Sequence, residues 1–255
     1  MGRTRITLQE NMMIRNLFTA LLTPFALLLG TGIGTSQAGY QYSINFASNP
    51  SLPSAQGMTY ATDALQGENT IMSIVGGNRL SVNTFQLASD RGAFYYKDNV
   101  YDPNLDLEME TSLKIIDSSF FGISFTAYTI ERSSSFVISK NAFTIFGSTM
   151  QTGYNFTDKF YKFTYRRTAA TNMYEFFIDG VLAVSGQTPS GFNGNQFYFG
   201  DGTSTGGNVH AEIQYVKYRN DTFAPDPVPE PTSLAIFAVG GLLSFATRRQ
   251  LRRNR

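Results

Sequence analysis

Asp106, Glu108 and Glu110 are the residues of this 255-residue chain whose type and spacing best suit chemistry. They alternate with Leu105, Leu107 and Met109. Successive side chains of an extended strand point to opposite faces, so this spacing predicts three carboxylates on one face and three apolar residues in a core. Two carboxylates flanking a scissile bond are what glycoside hydrolysis requires, one as acid and the other as nucleophile or base. The same row also reads as a charged outer strand face that meets glycan or solvent without catalysis. Asp201, in Gly200-Asp201-Gly202-Thr203-Ser204, is a second candidate. Calcium takes oxygen from carboxylates, carbonyls and water, and Asn208 stands close enough in sequence to contribute. Turn chemistry accounts for the same residues without a metal, because Asp and Gly suit a tight loop.

Other chemistries are excluded by composition. There is no cysteine, hence no disulfide, thiol nucleophile or cysteine metal site. The single histidine, His210, rules out a two-histidine metal site and reads as a residue of the alternating run Val209 to Tyr218. No cofactor is expected beyond a structural calcium at Asp201. The formal net charge is +1, but the basic residues concentrate at the ends. Residues 39–231 carry 12 Lys and Arg against 18 Asp and Glu, a balance near −6. No basic face survives that trimming, so nucleic acid is not an expected partner. Two glycosylation sequons, at Asn155 and Asn220, are poor candidates for modification in a chain with these ends.

The elements that must position the carboxylates read as strands. Tyr40 to Phe46 alternates apolar and polar residues, the period of a half-buried strand. Further runs lie at Thr70 to Val75, Leu80 to Leu87, Phe120 to Ile130, Ser135 to Ser139, Ala142 to Phe146, Phe160 to Tyr165 and Asn195 to Phe199. Asn172 to Val184 predicts a hairpin, because Asp179-Gly180 supplies the positive φ values that a type I′ turn needs. In Val209 to Tyr218, strict alternation predicts Ala211, Ile213, Tyr215 and Lys217 on one face, opposite Glu212 and Gln214. No long amphipathic helix interrupts the series, so the expected fold is all-β, a sandwich over residues 39–224.

Both ends carry addresses. Arg15 followed by the apolar runs Leu17 to Leu22 and Phe25 to Leu29, then Ser36-Gln37-Ala38, predicts a secretory signal peptide over residues 1–38, cleaved after Ala38. Residues before Met12 read as an upstream extension. The C-terminal stretch 225–255 contains Pro229-Glu230-Pro231, an uncharged run over 232–247, and Arg248, Arg249, Arg252, Arg253 and Arg255. A transmembrane helix is predicted over 232–247, short against the ~20 residues a bilayer core needs but extendable by snorkelling arginines. The arginine cluster places its own side in the cytoplasm.

That order of tripeptide, span and basic tail resembles the PEP-CTERM sorting signal of exopolysaccharide-producing bacteria. The resemblance implies an exosortase as processing partner, transient anchoring in the inner membrane, and a final place in the cell envelope or extracellular matrix, with exopolysaccharide as a further partner. The body resembles the laminin-G-like and concanavalin-A-like jelly rolls, on Tyr174 to Leu182, the FGDG at Phe199 to Gly202, and Glu212 to Tyr218. Laminarinase-type hydrolases of that fold carry Glu-x-Asp-x-(x)-Glu where this chain has Asp-x-Glu-x-Glu. The chain also has no tryptophan, so tyrosine or phenylalanine must supply any sugar-stacking surface. The expected function is a non-catalytic, exported jelly roll that binds glycan or contributes bulk to an exopolysaccharide layer; the alternative is an exported glycoside hydrolase or lyase. Protein recovered from an exosortase-bearing host should lack residues 1–38 and the segment from about Thr232 onward by intact mass. Mature protein that keeps Thr232 to Arg255 would reduce the tail to a plain anchor.

Overall fold

The computed structural model describes residues 40–64, 66–87, 91–146, 151–202 and 207–222. Strands follow one another as β1 (Tyr42–Asn45), β2 (Thr59–Thr62), β3 (Met72–Val75), β4 (Arg79–Asn83), β5 (Ala93–Asp98), β6 (Asp106–Ser118), β7 (Ile123–Thr129) and β8 (Ser133–Ile138). They continue as β9 (Ala142–Ile145), β10 (Gln151–Thr152), β11 (Tyr161–Thr168), β12 (Met173–Ile178), β13 (Val181–Gln187), β14 (Asn195–Asp201) and β15 (Val209–Asp221). The α-helix among these residues, α1 (Glu68–Ile71), is a single turn. One sheet runs β13-β12-β11-β6-β15-β4-β3, with β1 pairing the far half of β15. The other runs β10-β9-β8-β7-β14-β5-β2. Every pairing is antiparallel, and the expected all-β jelly-roll sandwich is observed.

Aromatic side chains join the two sheets. Phe125 stacks on Phe136 at 5.0 Å within one sheet, and Phe136 meets Phe176 of the other at 5.1 Å. Phe143 also reaches Phe176 at 5.1 Å, and Phe197 meets Tyr218 at 4.6 Å. All of these rings are fully buried. Offset and tilted ring pairs contribute about 0.5–1.5 kcal/mol each beyond their burial, so a core built this way needs no tryptophan and no disulfide.

The Asp179-Gly180 hairpin forms as predicted. Ile178 pairs Val181, and the two turn residues have φ of 50° and 80°. Asp179 Oδ1 accepts the Lys162 N–H at 2.9 Å, which fastens the turn to β11. The alternation expected along β15 does not hold throughout. A register shift between Ile213 and Tyr215 inserts one residue, so Val216 and Tyr218 enter the core while Tyr215, Lys217 and Arg219 turn outward. A bulge of this kind reverses the facing of everything after it. The run from Thr70 begins with the last residues of α1, and the run to Leu87 ends in a 3-10 turn at Thr84–Gln86, which shortens both expected strands.

Asn220 ties the ends of the domain together. Its Nδ2 donates to the carbonyls of Asp102 and Asp106 at 3.1 and 2.9 Å, its N–H donates to Gln41 Oε1, and Gln41 Nε2 donates back to its carbonyl. The side chain is 2 % exposed, so this sequon asparagine has no amide to offer a sugar. Asn220→Ala strands several buried partners at once and should cost about 2–3 kcal/mol in urea unfolding. A loss below about 0.5 kcal/mol would contradict the clamp.

Candidate functional site

The structure brings the three carboxylates onto the outer face of the eight-stranded sheet, as their spacing predicts, and gives each a partner. Register places Glu108 of β6 between Arg166 of β11 and Arg219 of β15. Arg166 Nε lies 2.7 Å from Glu108 Oε2, Arg219 lies 3.9 Å from the same oxygen, and the Tyr40 hydroxyl donates to Oε1 at 2.5 Å. Glu110 is held by Lys162 at 2.8 Å and Lys217 at 3.0 Å. The Tyr40 ring lies 5.0 Å from the Lys217 ammonium and 5.8 Å from the Arg219 guanidinium, covering the row from the N-terminal side. Glu108 and Glu110 are 5 % and 8 % exposed, which a solvent-facing carboxylate row would not be.

This arrangement decides what the row can do. Burial alone raises the Glu110 carboxyl, but the Lys162 and Lys217 ammonium groups overcome it and hold the group below the usual carboxylate range. A glycosidase acid needs the opposite shift, so that it keeps its proton near neutral pH. Burial and the bond to Glu108 push the Tyr40 phenol far above its ordinary value, so it stays a donor. Asp106 stands apart at the start of β6, where it accepts the Ala169 N–H at 2.7 Å. There it lines an open polar cleft of about 510 Å³ with Pro103, Arg132, Asn172 and Thr222.

Asp201 is fully buried, and its Oδ2 accepts the Thr84 hydroxyl at 2.5 Å. Thr84 Oγ1 in turn receives the Val209 N–H at 2.8 Å, so Thr84 fastens the turn after β4 to the start of β15, and Asp201 ties the end of β14 to that turn. Among the described residues, no three His, Cys, Asp or Glu gather in a group that could hold a metal. Gly200 explains the rest of its motif: φ is +138°, and a Cβ there would lie 2.6 Å from the Phe94 backbone, so glycine lets β14 approach β5.

Sequence reasoning missed a second surface, on the outer face of the seven-stranded sheet. Phe197 and Phe199 of β14 enter the core, which turns Tyr198 outward; Phe94 and Tyr96 of β5 and Tyr128 of β7 share its face by register. A row of rings crosses the strands, Tyr96–Phe94–Tyr198–Tyr128–Phe192–Phe146, at centroid spacings of 6.2, 5.4, 6.3, 6.1 and 5.4 Å. Neighbouring planes are tilted by 50° to 83°, so no ring is sandwiched between two others. Phe192 and Phe146 are 49 % and 43 % exposed at one end of the row.

Beside the rings, Thr126 and Ser135 share a hydrogen bond of 2.7 Å. Tyr128 donates to Gln196, whose amide donates to Asp98, both at 2.7 Å. Burial raises the Tyr198 phenol against a lowering hydrogen bond with Thr126, and burial also raises Tyr128, so both remain protonated donors at neutral pH. Asp98 is the single charged side chain among the described strand residues of this face.

Ala38, Pro229, Glu230, Pro231, the arginines from Arg248 to Arg255 and the span 232–247 lie outside the described residues, among which no helix is long and apolar enough to cross a membrane. Residues 227–253 match the PEP-CTERM protein-sorting motif. That motif is the recognition signal of exosortase processing and indicates export with transient membrane anchoring before processing. No curated protein matches the sequence. Among solved structures the fold is similar to a peanut lectin, with a TM-score of 0.50 and 10% identity over 72% of this chain and 99% of that one. It is also similar to part of a sialidase, with a TM-score of 0.50 and 12% identity over 70% of this chain. The chain spans only 18% of that sialidase.

The Glu110 pairing makes a pH prediction. Folding lowers this carboxyl below its ordinary 4.5, so its contribution is present above that pH and is lost as pH falls through the folded value. Glu110→Gln should therefore destabilise the protein at pH 7 and approach the parent near pH 3. Denaturation midpoints with an equal gap at both pH values would contradict the pairing.

Proposed function

We propose that the exported sandwich is a non-catalytic module that binds neutral glycan across the outer face of the seven-stranded sheet, delivered by its PEP-CTERM tail to a polysaccharide-bearing envelope or matrix. The observation that carries this reading is the row of six rings on a face with one charge. A sugar ring presents an apolar C–H face and a polar rim. Aromatic rings cover the first, while the hydroxyls of Tyr128 and Tyr198 and the amide of Gln196 answer the second. A face without cations has nothing to offset the desolvation of an acidic polysaccharide, so the ligand class is neutral.

The carboxylate row supports the non-catalytic part. The lone pairs of Glu108 and Glu110 are occupied by Arg166, Lys162, Lys217 and Tyr40, and the two lysines hold the Glu110 carboxyl below the usual range. The row then serves to bind β6 to β11 and β15 across the sheet.

Affinity electrophoresis of the exported protein in gels containing neutral or uronic-acid polysaccharides tests both parts. Retardation is expected in at least one neutral gel, with no reducing sugar released. Tyr128→Ala with Tyr198→Ala should weaken it about tenfold or more, a loss of roughly 1.4 kcal/mol, whereas Glu108→Gln should not. Sugar release that Glu108→Gln or Glu110→Gln abolishes would replace this reading with the hydrolase.

A further inference from the structure

The free edges of the two sheets are unequal. The eight-stranded sheet ends in β3 and β13, the seven-stranded sheet in β2 and β10, and β1 pairs β15 alone. β1, β2 and β3 have four residues each and β10 has two. Such short edges are one of the ways proteins avoid pairing edge to edge. β13 has seven residues, Val-Leu-Ala-Val-Ser-Gly-Gln, with no charge and no proline to block a neighbouring strand. Val181 is 71 % exposed and Leu182 50 %. Among the described residues no strand pairs with its outer side.

We propose that β13 is a self-docking edge, through which two copies of this chain pair antiparallel about a twofold axis and join their eight-stranded sheets. A second copy suits the edge because the strand carries no charge, so self-pairing sets no like charges opposite one another. It also suits the topology. The twofold contact satisfies both long edges at once and closes, whereas pairing β13 with any short edge leaves residues unmatched and an edge open. On the outer face Leu182 lies opposite Phe177 of β12, so an apolar strip reaches the edge at which the mate docks. The axis stands perpendicular to the joined sheet, so both seven-stranded sheets lie on the same side of it. Two aromatic faces then point the same way, which raises avidity for a polymeric ligand without any new contact. The pairing itself does not depend on what those faces bind.

Sedimentation velocity of the exported protein across a concentration series, with hydrogen exchange on the same samples, tests the proposal. The expected result is a reversible monomer–dimer equilibrium, with amides in Val181–Gln187 exchanging more slowly at high concentration. Leu182→Lys with Ser185→Lys sets like charges across the axis. Within one copy the second of these lysines can pair with Glu175, which faces Ser185 across β12. This variant should keep the parent's melting temperature and raise the dimer dissociation constant about tenfold or more. Two results would overturn the proposal: a monomer throughout the series, or a dimer that neither protects these amides nor responds to the two lysines.

Discussion

The pairing of β6 with β15 is the constraint on which the rest of the structure depends. Each strand has thirteen residues, and their register runs from Asp106 opposite Asp221 to Ser118 opposite Val209. Their inner residues, Leu107, Met109, Leu113, Ala211, Val216 and Tyr218 among them, commit one face of the sheet to the aromatic core. Their outer residues must then find polar partners in each other. Glu108 and Glu110 do so by facing Arg219 and Lys217, with Arg166 and Lys162 closing the rows from β11. Buried carboxylates held between two opposite charges are costly to strip of one partner, so the rows fix the relative register of three strands.

The two outer faces divide the chemistry between them. The eight-stranded sheet carries the ion pairs, which neutralise one another and leave little for a ligand. The seven-stranded sheet carries a row of rings with a single charge among its described strand residues, and the exposed edges of Phe192 and Phe146 offer a ligand apolar surface. Because both inner faces are filled by phenylalanine and tyrosine, specificity can reside only on the outer faces and at the loop ends, where the cleft beside Asp106 opens next to the point at which β15 leaves the sandwich.

Local chemistry was legible in the sequence, and long-range pairing was not. Asp179-Gly180 dictates its turn from two adjacent residues, and the alternation around Glu108 dictates its face. The partners of Glu108 come from Arg166 and Arg219, which only the folded sheet brings near. The bulge between Ile213 and Tyr215 then reverses the facing that simple alternation gives to Lys217. The aromatic surface was hidden for another reason. Ala93-Phe94-Tyr95-Tyr96 and Phe197-Tyr198-Phe199 are apolar on both faces, so periodicity cannot tell which ring enters the core. Tyr95 and Tyr96 look alike in the sequence, yet Tyr95 is fully buried and Tyr96 belongs to the outer row of rings.

The central claim is that ligand meets the seven-stranded sheet and not the charged one. The most direct measurement is an amide chemical-shift map of the exported protein titrated with a neutral oligosaccharide that it retains. The account predicts shifts concentrated in β5, β7, β14 and the residues around Phe192, with β6, β11 and β15 unmoved at Glu108, Arg166 and Lys217. Shifts centred on Glu108 and Glu110, with the aromatic face silent, would contradict it.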